Sequence, residues 1–240
     1  MKKISTYLRT KIKKYLLRQR FKKMNLSQRF TWIYKSNHWN NDESASGVGS
    51  SLVASTVIRE SLPKLISKYS INSIFDAPCG DLHWMSLILK DLKCDYIGGD
   101  IVESVINNSK KQFNQSGVSF LVIDITNNEH PDVDLTFCRD CLFHLSYYDT
   151  LSFFKMFVKS NAKYLITTNH IADKVINRDI VSGDFRLMNL FNYPYEFPGR
   201  PLEIIKEDEE REMVLWSAED IATGLKKFEK NINLVNGNKQ

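Results

Sequence analysis

Short apolar runs alternate with longer, helix-length stretches through the middle of the chain. The runs 73–77, 94–99, 118–123, 133–138 and 163–168 are rich in Ile, Val, Leu, Phe and Tyr and read as strands. Between them, 81–92, 102–115 and 146–159 have the length and spacing of helices. Another helix is expected from about Leu52 to Tyr69, with Pro63 bending or dividing it. Strands joined by helix-length connections imply a parallel sheet covered on both faces. From Ile171 to Pro201 the periodicity breaks into Asn, Asp, Gly, Pro and aromatics. The runs 202–207 and 211–216 then pair as an antiparallel hairpin, with Asp208-Glu209-Glu210 at its turn. The last dozen residues, ending Asn-Gly-Asn-Lys-Gln, read as loosely held. The expected fold is α/β: a doubly wound, mostly parallel, seven-stranded Rossmann-like sheet with a C-terminal antiparallel hairpin. At 240 residues the chain accommodates one such domain.

Charge divides the chain. Residues 1–23 hold ten Lys or Arg and no acid, and the first acid is Asp42. The remaining 23 Lys and Arg face 28 Asp and Glu, so residues 24–240 sum to −5 and the +5 total describes neither part. Ile4, Leu8, Ile12, Tyr15, Leu16 and Phe21 recur at helical spacing among Lys2, Lys3, Lys11, Lys14, Arg18 and Lys22. Residues 1–25 therefore read as a basic amphipathic arm, and 26–240 as the domain. Such an arm either makes peripheral contact with an anionic membrane surface or packs on its own domain. Nucleic acid is not an expected partner, because the acidic body supplies no second basic surface. No stretch approaches 18 apolar residues and no signal-like apolar core is present, so the body is expected in the cytoplasm, with the arm at the inner face of the membrane as an option.

Four cysteines for this length point to a reducing compartment. Cys138 and Cys141 form one CxxC with no second pair, so no metal site is expected, and all four read as small buried hydrophobes.

The chemistry concentrates in Ser73-Ile74-Phe75-Asp76-Ala77-Pro78-Cys79-Gly80-Asp81 and Tyr96-Ile97-Gly98-Gly99-Asp100. A nucleoside pocket in a parallel sheet needs a tight turn after one strand and a carboxylate at the end of the next to grip ribose hydroxyls. Asp76 and Asp100 also have dull explanations, as a turn cap and a solvated strand end, and Asp81 is placed to cap a helix over 82–92. The three glycines that seat a pyrophosphate on a helix N-terminus are missing: Pro78 lacks an N–H and the freedom to reach positive φ, which leaves Gly80 alone for close backbone approach. Asp76 and Asp81 would repel a pyrophosphate but suit a cationic ligand.

With these residues in order from Ser73 to Thr168, the chain resembles the class I S-adenosylmethionine-dependent methyltransferases. The resemblance implies S-adenosyl-L-methionine as cofactor, with Asp76, Ala77, Pro78 and Gly80 as its loop and Asp100 with Ile101 at the ribose. Asp124 with Ile125, in Phe120-Leu121-Val122-Ile123-Asp124-Ile125, falls at the adenine edge, and Asp134 to Asp140 forms the fourth strand, followed by Leu142-Phe143-His144-Leu145. Trp39, Glu43-Ser44, Ser46-Gly47, Gly49-Ser50, Trp84-Met85 and Cys138-Arg139-Asp140-Cys141 extend the likeness to a subgroup found with bacterial surface-polysaccharide biosynthesis. That subgroup implies a hydroxyl acceptor, or less readily an amine or phosphate, on a small molecule or glycan, with the Trp39–Ser50 loop folding over the cofactor. Asp140 and His144 are the catalytic candidates, sharing a face if their segment is helical, His144 as base and Asp140 orienting it. His170 and Arg186 are candidates for holding the acceptor, Arg186 by clamping a phosphate or carboxylate. The competing readings are a non-catalytic adaptor on the same fold, held at a membrane by its arm, and a nucleotide-dependent oxidoreductase.

Overall fold

The computed structural model describes residues 6–171 and 175–237; Lys2, Lys3 and Ile4 of the arm, and Asn238, Lys239 and Gln240, lie outside them. Seven strands form one sheet: β1 (Ser73–Asp76), β2 (Asp95–Asp100), β3 (Val118–Val122), β4 (Leu135–Cys138), β5 (Tyr164–His170), β6 (Glu203–Lys206) and β7 (Arg211–Ser217). Their order is β3-β2-β1-β4-β5-β7-β6. The first five are mutually parallel, while β7 runs antiparallel between β5 and β6. The expected doubly wound sheet with its terminal antiparallel pair is what forms.

Among the described residues six α-helices accompany it: α1 (Thr6–Lys22), α2 (Leu26–Lys35), α3 (Thr56–Lys68), α4 (Glu103–Gln112), α5 (Tyr147–Lys159) and α6 (Ala218–Gly237). One face of the sheet is covered by Phe153, Phe154 and Phe157 of α5 with Ile221 and Phe228 of α6, the other by Ile58, Leu62 and Ile66 of α3 with Leu82, Trp84 and Ile106. None of the helices among the described residues is long and apolar enough to cross a membrane.

Three expectations need correction. The stretch 81–92 is not an α-helix but turns around one short 3-10 segment, Met85–Leu87. Gly80 and Leu82 both take left-handed φ, +58° and +57°, which breaks the helix start, and the Asp81 carboxylate, though it accepts from His83 N at 3.3 Å, is shared with the 44–46 loop. Leu82, Trp84, Met85, Leu89 and Leu92 still point inward, so the apolar spacing is satisfied by packing without the helix. Helix α3 is not divided at Pro63, and Ile58, Leu62, Leu65 and Ile66 on either side of it are buried and pin the helix to the sheet. Finally, of the last dozen residues expected to be loose, 229–237 belong to α6, where Asn231 is 9% and Ile232 8% exposed.

The arm meets the body at its C-terminal end. Phe21 is fully buried, edge-on to Trp32 of α2 with ring centres 5.7 Å apart, and its ring closes on Gly183, where an added Cβ would lie 2.9 Å from it. Arg18 and Lys14 pair with Asp184, at 2.5 and 3.4 Å. Helix α2 then begins with a capping box, Asn25 accepting from Gln28 N at 2.9 Å and Gln28 accepting from Asn25 N at 3.1 Å.

Candidate functional site

Strand order reverses between β1 and β4, so the connections leaving β1, β2 and β4 diverge and leave a cleft beyond the carboxyl ends of the strands. The cleft holds about 1030 Å³ of empty volume, solvent at its mouth included. That is ample for a nucleoside with a small acceptor beside it. Asp76, Pro78 and Gly80 line it from β1, Asp100 and Ile101 from β2, Asp124 and Ile125 from the end of β3, and Arg139, Asp140 and His144 from β4.

Two carboxyls form its floor. Asp76 is 3% exposed and accepts the phenolic proton of the buried Tyr96. Burial, with the Asp100 charge adding to it, pushes its pKa up to about 7. Asp100, 7% exposed, accepts from Val102 N at 2.8 Å and from Gly80 N at 3.2 Å, and burial raises its pKa to about 6. The Gly80 backbone thus turns directly onto the Asp100 carboxylate, and any side chain at 80 would strike Ser46 Oγ, 2.4 Å from an ideal Cβ. Ala77 sits beneath the wall, fully buried, its N–H on Phe137 O. Asp124 opens a turn, Oδ1 accepting from Thr126 N at 2.9 Å and Thr126 Oγ1 at 2.7 Å, while still lining the cleft.

At the end of β4 the chain bends sharply, with Asp140 at φ +53°. Its carboxylate is engaged by three groups: Oδ2 meets Arg211 at 2.9 Å and Arg139 at 3.2 Å, and Oδ1 accepts from Thr168 Oγ1 at 3.2 Å. Arg139, 6% exposed, also holds Glu207 at 2.8 Å and donates to the carbonyls of Gly49 and Ala54. The helical pairing expected of Asp140 and His144 is absent, because only Leu142–His144 winds, as a 3-10 turn. His144 is oriented instead by the Asp184 carbonyl, 2.8 Å from Nδ1. A carbonyl only accepts, so Nδ1 carries the proton and Nε2 keeps its lone pair. Burial holds the His144 pKa below its ordinary value, so the ring is neutral at pH 7.

His170 and Arg186 do not line the cleft. His170 is 3% exposed and paired to the Met188 backbone. Arg186 is 5% exposed, and its NH2 group spends its hydrogen bonds on Tyr195 OH at 2.6 Å, Thr150 Oγ1 at 3.1 Å and Leu142 O at 3.4 Å. It ties the irregular 177–195 stretch to the core, in place of the expected clamp. Of the cysteines, Cys138 and Cys141 are buried, and the half-buried Cys79 borders the cleft.

The roof comes partly from α2, which the motif reading passed over, and partly from the Trp39–Ser50 loop, whose Trp39, Ser46 and Ser50 line the cleft. Leu26, Phe30 and Tyr34 stand one helical turn apart on α2 and face the cleft. Trp39 tilts over His144, ring centres 5.1 Å apart and planes at 33°. The 44–46 loop is fastened to the β1 turn by Asp81, which accepts from Ser44 Oγ at 2.8 Å, Ala45 N at 3.1 Å and Ser46 Oγ at 3.2 Å. The i, i+4, i+8 row in Leu26, Phe30 and Tyr34 was the available signal.

Neither a family model nor a curated protein sequence matches the chain. Solved structures do, at the level of fold. Human N-acetylserotonin methyltransferase in complex with SAM superposes with a TM-score of 0.57 at 14% identity over 80% of this chain, which spans 59% of that enzyme's length. The N-methyltransferase NodS from Bradyrhizobium japonicum WM9, in complex with S-adenosyl-L-homocysteine, gives 0.56 at 14% identity, covering 77% of this chain and 97% of that one. Burkholderia thailandensis 1,6-didemethyltoxoflavin-N1-methyltransferase, with bound 1,6-didemethyltoxoflavin and S-adenosylhomocysteine, gives 0.56 at 12% identity, covering 80% and 86%.

Proposed function

We propose that the chain is an S-adenosyl-L-methionine-dependent methyltransferase acting on a hydroxyl, or less readily an amine or phosphate, of a small-molecule or carbohydrate acceptor. One observation carries the cofactor reading. The cleft floor offers two buried carboxyls, Asp76 and Asp100, and the turn between them leads into no α-helix. A pyrophosphate needs the N–H groups and positive end of a helix there. The 3-10 segment at Met85–Leu87 supplies neither, and the carboxyls repel phosphate. A nucleoside that carries positive charge and no phosphate is the complementary ligand. It relieves the proton-holding floor, because a nearby cation favours ionised Asp76 and Asp100. The three enzymes that share the fold were crystallised with the methyl donor or its product, which supports the same reading.

When bound, S-adenosylmethionine supplies an electrophilic methyl group. The chain's own share is to hold, shield and deprotonate. Asp100 is fixed by the Gly80 and Val102 amides to receive ribose hydroxyls, and Asp76 sets negative charge deeper in the floor. Trp39, Phe30 and Tyr34 exclude water, which favours a displacement in which charge is neutralised. His144 takes the acceptor's proton at Nε2 while the Asp184 carbonyl stabilises the imidazolium through Nδ1–H. Asp140 holds Arg139 and Arg211 in place behind it. The glycan acceptor rests on the subgroup resemblance around Cys138-Arg139-Asp140-Cys141.

Calorimetric titration with S-adenosylmethionine, S-adenosylhomocysteine and NAD, on the wild type and Asp100→Ala, tests the reading. Micromolar binding of the first two, lost in the variant, is expected. Silence toward both, or preference for NAD, sinks it.

A further inference from the structure

Helix α1 has two distinct faces. At about 3.6 residues per turn, Leu17 and Phe21 lie roughly opposite the row Leu8, Ile12, Tyr15 and Leu16. The first face is the docked one: Leu17 is half-buried, Phe21 is fully buried against Trp32 and Gly183, and Arg18 closes on Asp184, while Gln19, also half-buried, ends the opposite row beyond Leu16. The second face looks away from the domain, with Ile12 43%, Tyr15 62% and Leu16 59% exposed. A contiguous apolar row held out by a helix whose other side is anchored has a use beyond the domain's own core.

The charges flanking the row say what covers it. Arg9, Lys13 and Arg20 border one side and Lys11 and Lys22 the other, all exposed, and no acid occurs anywhere in the helix. Lys14 and Arg18, the cations nearest the docked face, are the two that pair with Asp184. A second copy of the helix meeting this row would bring cation against cation. An anionic bilayer instead takes the apolar row at the acyl boundary and the flanking cations at its headgroups. We infer that α1 is an interfacial helix that seats the protein on an anionic lipid surface through Ile12, Tyr15 and Leu16, with Arg9, Lys11, Lys13 and Lys22 as its headgroup contacts. The inference stands apart from the methyltransferase reading, since none of these residues borders the cleft.

The test is cosedimentation of the full chain with phosphatidylcholine vesicles, with and without about one-third phosphatidylglycerol. Two double variants accompany the wild type: Ile12→Ser with Leu16→Ser, and Lys11→Glu with Lys13→Glu. All four side chains are exposed, so Phe21 and Arg18 remain docked, and circular dichroism with a melting curve confirms that each variant is folded. Expected are binding to the anionic vesicles only, release by salt, and a loss of at least about tenfold in affinity in each variant. The inference is overturned if the wild type ignores anionic vesicles or binds both vesicle types alike. It is also overturned if the Ile12→Ser, Leu16→Ser variant binds as the wild type does. Retention of a nucleic-acid duplex in preference to vesicles, or a dimer that this variant dissolves while vesicles are ignored, overturns it as well.

Discussion

The backbone carbonyl of Asp184 accepts the Nδ1–H of His144 at 2.8 Å, and this one bond settles the tautomer of the cleft's only imidazole among the described residues. If Nε2 is the base, His144→Gln lowers kcat by about a hundredfold or more, within the range for general-base removal. Titration calorimetry with S-adenosylhomocysteine should show unchanged donor affinity in the same variant. Because burial lowers the His144 pKa, the ring stays unprotonated as pH falls through 6.5, and the acid limb of the kcat profile lies below that value. An acid limb above 6.5, or one that survives His144→Gln, assigns the proton transfer elsewhere.

The floor carboxyls make stability and binding depend on pH in opposite ways. Folding raises Asp76 from its ordinary 3.8 to about 7 and Asp100 to about 6. The folded chain therefore holds these protons more tightly than the unfolded one, and that contribution is complete below about pH 4 and lost as pH rises through 6 and 7. For Asp76 the ionised form costs the ligand-free fold about 4 kcal/mol, at about 1.4 kcal/mol per pH unit. Asp76→Asn should therefore melt above the wild type, by a margin that grows by several degrees between pH 5 and 8 in differential scanning calorimetry. The wild type should bind S-adenosylmethionine more tightly across the same interval, releasing protons as it does so.

Asp81 carries the roof. Replacing it with alanine removes the acceptor shared by Ser44 Oγ, Ala45 N and Ser46 Oγ, leaving the loop with few ties to the β1 turn. Hydrogen exchange at 44–46 should accelerate, and donor affinity should fall about tenfold, matching one or two net hydrogen bonds to a charged group. Unchanged exchange would show that Trp39 and the Arg139 contacts hold the loop by themselves.

Arg139 is bound to stability more than to chemistry. Its loss strands Glu207, whose side chain is fully buried and whose pKa is already raised by burial, and releases the carbonyls of Gly49 and Ala54. Arg139→Leu should cost about 3–5 kcal/mol in urea unfolding, as removal of one partner of a buried pair does. Adding Glu207→Leu should restore a substantial part of it.

The sheet was legible because its evidence is local. Each parallel strand is a short apolar run, and the hairpin is announced by Asp208-Glu209-Glu210. What escaped depends on contacts distant in sequence. Leu82 lies in a stretch with helical spacing, yet its left-handed φ follows from a turn whose Asp81 is claimed by Ser44, 37 residues away. Asp140 and His144 have helix-mate spacing, but Arg211, from a strand about 70 residues later, captures the acid. Arg186 has the chemistry of a surface clamp, and only the placement of Tyr195 and Thr150 shows that it is an internal tie. Helix α6 did leave a mark that was passed over: Ser217 and Asp220 cap its start, Asp220 N donating to Ser217 Oγ at 3.1 Å.

The position of β7 in the sheet bears on how the chain must assemble. β7 pairs along its length with β5, from Tyr164↔Ser217 to His170↔Arg211, and with β6 on its other side. Until residues 211–217 arrive, β5 is a bare edge offering seven residues of unpaired backbone, and β6 has no neighbour in the sheet. During synthesis the nascent protein therefore passes through a stage in which the five parallel strands are present, one sheet face still lacks α6 and one flank is adhesive. A ribosome stalled anywhere between β5 and β7 would release a species primed to aggregate.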